Sequence, residues 1–169
     1  MNHSEFMNLV VPFQNKLFRL AKRLLISVEE AEDAIQEVMV KLWKKQTNLH
    51  EYQSVEALAM TMTKNFCLDQ LKSKRAQNLQ IVHSNFTDSS SGLQQNIEDQ
   101  DSVTWIEKIM NQLPEQQKII IQLRDIEQLD FDEIAKITDM NATAIRVALS
   151  RARKTVREKM LKTHNYGIK

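Results

Sequence analysis

Residues 130–160, DFDEIAKITDMNATAIRVALSRARKTVREKM, decide how the last third of this chain folds. Asp130 and Glu133 have the spacing of a capping box, in which each side chain satisfies the other residue's free backbone N–H. Three residues after the short helix that they begin, Asn141 is a good N-cap for a second helix reaching Met160. A short helix, a tight turn and a long helix have helix-turn-helix dimensions. The segment therefore predicts a DNA-binding fold.

The second of these helices has two chemically different faces. At about 100° per residue, one side carries an apolar stripe that we expect to pack inward: Ile145, Leu149, Ala152 and Val156. The other side carries Arg146, Ser150, Arg153, Lys154 and Arg157. Guanidinium and ammonium groups bind phosphates and guanine edges, so this side is suited to the major groove. A solvated basic face without a partner is the alternative.

The position along this helix predicts what each side chain contacts. The N-terminal residues of a recognition helix reach deepest into the groove, and residues further along contact phosphates. The candidates for base contacts are Asn141, Thr143, Ala144, Arg146 and Val147, and those for phosphate contacts are Arg151, Arg153, Lys154 and Arg157. Ala148, beside Val147, is a further candidate for apolar contact with thymine methyl groups.

Composition predicts an all-α protein. Two glycines and two prolines in 169 residues leave few turn residues, and the abundant residue types favour helices. Cys67 is the single cysteine, so no disulfide or CxxC metal site is expected, and the reducing cytoplasm is the default compartment. Neither a membrane span nor a signal peptide is indicated. Scattered histidines and the absence of a glycine-rich phosphate loop argue against an enzyme, a metal site or a cofactor.

The rest of the chain predicts a helical bundle and a linker. An amphipathic helix covers residues 6–24, with Lys16, Arg19, Lys22 and Arg23 off its apolar stripe and with Pro12 expected to kink or break it. A capping box at Ser27 and Glu30 begins a second helix, and a third covers about 54–75. Residues 79–103 lose periodicity and are acidic, which is typical of a flexible linker. The predicted boundaries are 1–78, 79–103 and 104–163.

One polar patch lies on the second helix. Asp33, Gln36 and Glu37 are spaced i, i+3 and i+4, so they share one face. Taken alone, this is an ordinary solvated surface.

Two stretches of the chain resemble bacterial RNA polymerase sigma factors. Residues 31–43, AEDAIQEVMVKLW, and 64–72, KNFCLDQLK, resemble region two of these proteins. Leu113-Pro114, residues 124–135 (RDIEQLDFDEIA) and residues 149–153 (LSRAR) are similar to region four. The order, with a linker between them, is typical of the short extracytoplasmic-function (ECF) subfamily. The turn departs from the family pattern, because Asp139 stands where glycine is usual and must adopt the left-handed conformation.

The resemblance implies a function and assigns roles to residues. The chain would bind core RNA polymerase and direct transcription initiation at promoter DNA, and an anti-sigma factor would be a further partner. Asp33, Gln36 and Glu37 would contact polymerase, with Trp43 packing nearby. The melted minus-ten element would bind His50, Gln53, Lys64, Asn65, Lys72 and Arg75. The helix from Asn141 would read the minus-thirty-five duplex, including through Ser150.

Two other functions fit the same residues. A stand-alone helix-turn-helix regulator would dimerise and bind a palindrome without polymerase. A helical interaction protein would carry the basic helix only as a solvated surface.

Overall fold

The computed structural model describes residues 1–84 and 102–167, and the regular elements in these two ranges are helical. The α-helices are α1 (His3–Leu25), α2 (Val28–Lys44), α3 (Val55–Ser84), α4 (Ser102–Asn111), α5 (Glu115–Ile121), α6 (Phe131–Thr138) and α7 (Ala142–Gly167). A 3₁₀-helical turn, Gln46–Glu51, precedes α3, and a π-helical turn, Gln122–Ile126, extends α5. The prediction of an all-α fold is confirmed.

The first domain is a bundle of α1, α2 and α3. The stripe predicted on α1 forms its core, because Leu17 and Leu20 are fully inaccessible and Leu24 is nearly so. Burying a leucine side chain contributes about 1.5–3 kcal/mol relative to leaving it exposed. This apolar seam fixes which faces of α2 and α3 remain at the surface.

Two local expectations for this domain need correction. α1 continues through Pro12 without the expected break. The proline ring is exposed, and the buried Val10 and Phe13 on either side of it hold the helix against the bundle. At the start of α2, Ser27 Oγ accepts a hydrogen bond from the Glu30 backbone N–H (3.3 Å), but the Glu30 carboxylate pairs with Lys74 of α3. The ion pair with Lys74 therefore takes the Glu30 carboxylate away from the Ser27 backbone N–H, and only half of the expected capping box forms.

The third helix is longer than its sequence pattern predicts. α3 continues beyond residue 75 to Ser84, past the proposed domain boundary at residue 78. Its added turns include Ala76 and Gln77, which are good helix formers, and no glycine or proline interrupts them. Residues 85–101, the greater part of the expected linker, lie outside the described residues.

The second domain contains the predicted helix-turn-helix. The capping box of α6 forms in both directions, with the Glu133 N–H donating to Asp130 Oδ1 (2.8 Å) and the Asp130 N–H donating to Glu133 Oε2 (3.4 Å). Asp139 adopts φ 57° and ψ 35°, the left-handed conformation expected of it. The Ala144 N–H donates to Asn141 Oδ1 (2.8 Å), so Asn141 caps α7 as predicted. α7 continues beyond Met160 to Gly167.

The two domains are packed against each other. α1 contacts α4, α5 and the π-helical turn, and α3 contacts α6. Buried apolar residues of both domains form one continuous cluster. The interface therefore covers one side of α1 and part of α3.

Two classes of feature are not found in the part of the chain that the structure describes. None of its helices combines the length and the apolar character needed to cross a membrane. None of its His, Cys, Asp and Glu side chains gather in a group of three or more that could hold a metal ion.

Candidate polymerase and nucleic-acid interfaces

The polar patch on α2 lies at the surface. Asp33, Gln36 and Glu37 are all exposed, and they alternate with the buried Ala34, Ile35 and Val38. Burial of the apolar residues fixes the rotation of α2 about its axis and so presents the three polar side chains together. The patch borders a shallow groove between α1 and α2 that is lined by Gln36, Phe18 and Gln14.

Trp43 belongs to the packing of the first domain. Its half-buried ring meets Phe6 edge to face, with 5.1 Å between ring centroids, and His3 at 6.3 Å. Edge-to-face pairs are a favoured aromatic arrangement. The ring thus ties the end of α2 to the start of α1.

The residues proposed for the minus-ten element lie on two consecutive segments. His50 is exposed on the 3₁₀-helical turn and Gln53 follows it. Along α3, three of the proposed residues are exposed and the fourth is half-buried; in chain order they are Lys64 (half-buried), Asn65, Lys72 and Arg75. The structure thus places a polar loop beside a basic helix face.

Part of this surface is engaged by the second domain. Lys64 Nζ donates to the Ile137 carbonyl oxygen (2.7 Å), and Gln53 Oε1 accepts from Lys136 Nζ (2.9 Å). Arg75 Nη2 pairs with Glu115 Oε1 at 3.4 Å. Burial lowers the pKa of Lys64, while the charge of Asp139 acts in the opposite direction. No local sequence pattern predicts these contacts.

The recognition helix α7 keeps its predicted division into two faces. Ile145, Leu149 and Ala152 are buried and Val156 is half-buried, whereas the polar face is exposed at Arg146, Ser150, Arg151, Arg153, Lys154 and Arg157. Among the N-terminal candidates, Asn141, Thr143 and Val147 are exposed and Ala144 is half-buried. Ala148 is only 6% exposed, packed in the core, so the expectation that it contacts thymine methyl groups is wrong.

Arginines surround Phe131 at the edge of this face. The guanidinium carbons of Arg124 and Arg146 lie 4.7 and 5.4 Å from the ring centroid, distances typical of cation–π contacts. A concave surface of about 370 Å³ next to the ring is lined by Phe131, Arg146, Leu149, Ser150, Arg153 and Arg157. Three cationic side chains thus converge where a phosphate could lie.

Arg153 already has a carboxylate partner in this surface. Its Nε and Nη2 donate to the two oxygens of Asp125, at 3.0 and 2.5 Å. This hydrogen bonding raises the pKa of Arg153. The two parallel hydrogen bonds hold the Arg153 guanidinium at the edge of the concave surface next to Phe131. They also place the negative charge of Asp125 there.

Two arginines of α1 have roles that its helical pattern does not reveal. Arg23 was expected off the apolar stripe, yet it is only 7% exposed because it inserts into the second domain. It donates to Glu107, Asn111 and Gln122 over 2.7–3.1 Å. Arg19 donates to both oxygens of Glu127, at 2.5 and 2.7 Å. These partners lie about 100 residues away in sequence, beyond the reach of any local signal.

The π-helical turn presents two of these partners to α1. Its i to i−5 bond, from the Glu127 N–H to the Gln122 carbonyl (3.0 Å), widens the end of α5. Gln122 and Glu127 are both buried, and Gln122 Nε2 donates to Glu127 Oε1 (3.3 Å). Departures from α-helical geometry are common where helices carry function.

The family models match both domains in order. Residues 9–77 match the model for sigma-70 region 2, and residues 104–156 match that for sigma-70 region 4. The chain belongs to the extracytoplasmic-function sigma factors. The ECF RNA polymerase sigma-E factor of Escherichia coli K12 is 24% identical over 163 residues, which cover 90% of this chain and 84% of that protein.

Two further comparisons extend this likeness. A probable RNA polymerase sigma factor, RfaY, of Xanthomonas campestris pv. campestris is 27% identical over 159 residues, and this ECF chain spans 40% of its length. The sigma factor RpoE of Bartonella quintana, solved in complex with the anti-sigma factor NepR, has a similar fold. It superposes with a TM-score of 0.75 at 22% identity, covering 92% of this chain and 96% of that one.

Proposed function

We propose that this protein binds core RNA polymerase and directs it to promoters through two DNA surfaces, one in each domain. The observation that carries the proposal is the presence, in one chain and in order, of a region-two domain and a region-four helix-turn-helix. The protein supplies recognition and strand capture, with no chemical step of its own, and we place its action in the cytoplasm, where promoter DNA is.

Polymerase would bind the α2 patch. Asp33 and Glu37 offer two exposed carboxylates on one rigid helix face, with the Gln36 amide between them. Exposed charges of one sign steer association with a complementary basic surface and fix its register. We infer that this patch meets basic side chains of the polymerase.

The first domain would hold the melted minus-ten strand. His50 and Gln53 line the loop side, and Lys64, Asn65, Lys72 and Arg75 supply donors and positive charge along α3. Extruding a base costs a few kcal/mol, and cationic contacts to the backbone help offset that cost. The surface therefore suits single-stranded DNA.

The second domain would read the minus-thirty-five duplex. The exposed side chains in the first turns of α7, Asn141, Thr143, Arg146 and Val147, are those that a recognition helix brings to base edges. Ala144 is half-buried, and its small side chain would serve only to let the helix backbone come close to the DNA. Arg151, Arg153 and Lys154, with Ser150, would then fix the helix on the phosphates.

We further propose an anti-sigma factor as a partner. The support is the Bartonella quintana RpoE structure, a protein of similar fold in complex with the anti-sigma factor NepR. This partner would control access to the surfaces described above.

Run-off transcription with core RNA polymerase and a promoter library tests the function. We expect the intact chain to bind core and to start transcription at a subset of the library. A chain that binds duplex DNA but neither binds core nor directs initiation would be a stand-alone regulator, and the sigma function would be wrong.

Glu37→Lys tests the polymerase contact. Reversing an exposed charge in the patch should abolish core binding while leaving the helical circular dichroism and duplex binding unchanged. Glu29→Lys, the same charge reversal on an exposed residue of the first turn of α2, is the matched control and should bind core normally. Normal core affinity in Glu37→Lys would remove the proposed contact.

A further inference from the structure

One aromatic ring joins the two helices of the helix-turn-helix. Phe131 is the first residue of α6, and the guanidinium carbon of Arg146, near the start of α7, lies 5.4 Å from its ring centroid. Arg124 lies over the same ring at 4.7 Å. In such contacts the negative face of the ring attracts the positive charge. The ring therefore restrains the Arg146 side chain from a neighbouring helix.

The Phe131 ring is itself held in place. It follows directly on the N-cap of α6, where Asp130 and Glu133 form the capping box, and its half-buried side chain packs against the core. Arg124 Nη1 also donates to the Leu129 carbonyl oxygen (2.8 Å), two residues before Phe131. The ring and the backbone that leads to it are thus both restrained before any DNA is bound.

Arg146 and Arg153 are held in different ways. Arg153 donates to both carboxylate oxygens of Asp125, and these bonds occupy its Nε and one terminal nitrogen. Among the residues that the structure describes, the exposed Arg146 side chain has no hydrogen-bond or ion-pair partner, and it lies against the Phe131 ring. A guanidinium carries five N–H donors, and the ring supplies no oxygen acceptor for them. The donors of Arg146 therefore stay available.

Free donors on a restrained guanidinium are what base reading requires. Guanine presents O6 and N7 in the major groove, and an arginine that reads it places two donors against them in one plane. A side chain that samples many rotamers loses them on binding, and that loss weakens recognition. The ring lines the same concave surface of about 370 Å³ as Arg146, so it restrains the arginine where a duplex would lie.

We propose that Phe131 is a positioning residue for promoter recognition: its ring holds the Arg146 guanidinium in the orientation that reads a guanine edge. This inference rests on the proposed reading of the minus-thirty-five duplex by α7. Phe131 has no polar side-chain atom and acts through Arg146, while Arg124 holds the ring from the π-helical turn. A residue of α6 thereby contributes to the sequence specificity of α7.

The test replaces the ring and leaves the arginine in place. Phe131→Leu removes the aromatic face but keeps an apolar side chain for the core, and Phe131→Tyr keeps the face. Each is made in the full chain, alone and with Arg146→Ala, which gives a double-mutant cycle for the pair. Phe66→Leu is the matched control, because Phe66 is also half-buried beneath a cation, with Lys41 Nζ 5.1 Å from its ring centroid, but lies on α3 in the first domain.

The probes are fluorescein-labelled DNA duplexes titrated by anisotropy. One carries the sequence that the wild-type protein selects from a randomised duplex library, and another has random sequence. A third set replaces one guanine at a time in the selected sequence by 7-deazaguanine, which lacks the N7 acceptor that an arginine uses. Urea titrations show that each variant is folded. The ring-current shift of the Arg146 side-chain resonances in the free protein, measured by NMR, reports whether the arginine lies on the ring.

We expect Phe131→Leu to bind the selected duplex about threefold to fivefold more weakly, the contribution of a cation–π contact at an exposed site. Its affinity for random duplex should stay within about twofold of wild type, as should that of Phe131→Tyr for both duplexes. The guanine at which 7-deazaguanine weakens wild-type binding should lose that effect in Phe131→Leu. With Arg146→Ala present, Phe131→Leu should cause no further loss.

Four results would overturn the inference. Equal losses on selected and random duplexes, or the same loss in the presence of Arg146→Ala, would show that Phe131 acts without Arg146. Unchanged binding of the selected duplex by Phe131→Leu would show that Arg146 needs no ring. Arg146 resonances without a ring-current shift in the wild-type protein would contradict the contact without any variant. If Arg146→Ala binds the selected duplex as tightly as wild type, base reading by Arg146 is wrong and the inference falls with it.

Discussion

Helix α7 presents its N-terminal side chains to solvent, whereas the surface proposed for the minus-ten strand, on α3 and the loop before it, gives three of its six side chains to the other domain. Both surfaces are basic helix faces in the sequence. They differ in what packs over them, which depends on contacts between residues 40 to 83 positions apart in the sequence. Helical periodicity in the sequence therefore predicts which helix face can bind DNA. Whether that face is exposed to solvent depends on how the domains pack, which only the structure shows.

The largest expected change breaks the docking that creates this difference. Arg23→Ala removes a buried guanidinium and leaves the buried Gln122 Oε1 without the hydrogen bond that Arg23 donates to it. Truncating one partner of a fully buried pair costs about 3–5 kcal/mol, and because the Glu107 side chain is 48% exposed we expect about 2 kcal/mol here. Calorimetry should show one thermal transition resolving into two as the domains uncouple.

Lys22→Ala is the control for this variant, because Lys22 is the exposed neighbour of Arg23 on α1. It should retain the wild-type transition. If Arg23→Ala unfolds in the same single transition at the same temperature, the buried arginine does not couple the domains.

The next change tests the open surface. Arg146→Ala should weaken binding to a selected minus-thirty-five duplex about tenfold or more, because a good bidentate base contact contributes about 1–3 kcal/mol of discrimination. Arg157→Ala, further along the same face, should weaken binding to all duplexes alike. The comparison is made by anisotropy on matched and mismatched duplexes. Equal, sequence-independent losses in both variants would make Arg146 a phosphate contact.

A smaller effect concerns the start of α7. Asn141→Ala removes the side-chain acceptor of the Ala144 N–H and should lower the free energy of unfolding by about 1 kcal/mol. Asn141→Ser keeps a capping oxygen and should recover most of that stability in urea titrations. Weaker DNA binding by the stable serine variant would indicate that Asn141 also contacts bases, whereas equal stability of all three proteins would contradict its role as a cap.

The smallest effect tests the carboxylate within the open surface. Asp125→Asn removes a negative charge that competes with phosphate for Arg153, so duplex affinity should rise about threefold and its salt dependence should steepen. Asp132→Asn removes the same charge from an exposed position in the first turn of α6. A loss of affinity in Asp125→Asn would mean that the pair orients Arg153 and does not restrain it.

The features of the fold that could be predicted from the sequence are those that depend on residues close together in the chain. The caps at Asp130 and Asn141, the left-handed Asp139 and the buried stripe of α7 depend on neighbours within one or two turns, and all are observed. Of the two outcomes expected at Pro12, a kink or a break, the break does not occur, because tertiary packing holds a helix that local preference would interrupt. The end of α3 was placed too early because residues 76–84 contain no glycine or proline and continue the helix beyond the last apolar positions used for the prediction.

The same distinction, between contacts within one helix and contacts between domains, separates the candidate sites that could be predicted from those that could not. The α2 patch and the α7 face could be predicted, because spacing alone places their residues at the surface together. The burial of Arg23 and the capping of α6 by Lys64 could not, since each needs a partner from the other domain. Ala148 was assigned to the wrong face for a smaller reason: it lies at the border of the apolar stripe, where packing decides.

The most direct test of the domain arrangement joins the two domains covalently where they meet. Gln53→Cys and Lys136→Cys replace two side chains that touch across the interface, and a short bismaleimide joins them; the same variant capped with N-ethylmaleimide controls for the modification. We predict that the bridge forms in most chains and that the bridged and capped proteins bind duplex DNA equally, because the N-terminal side chains of α7 stay exposed while the domains are docked. A bridge that does not form, or weaker duplex binding by the bridged protein than by the capped protein, would contradict this arrangement of the domains.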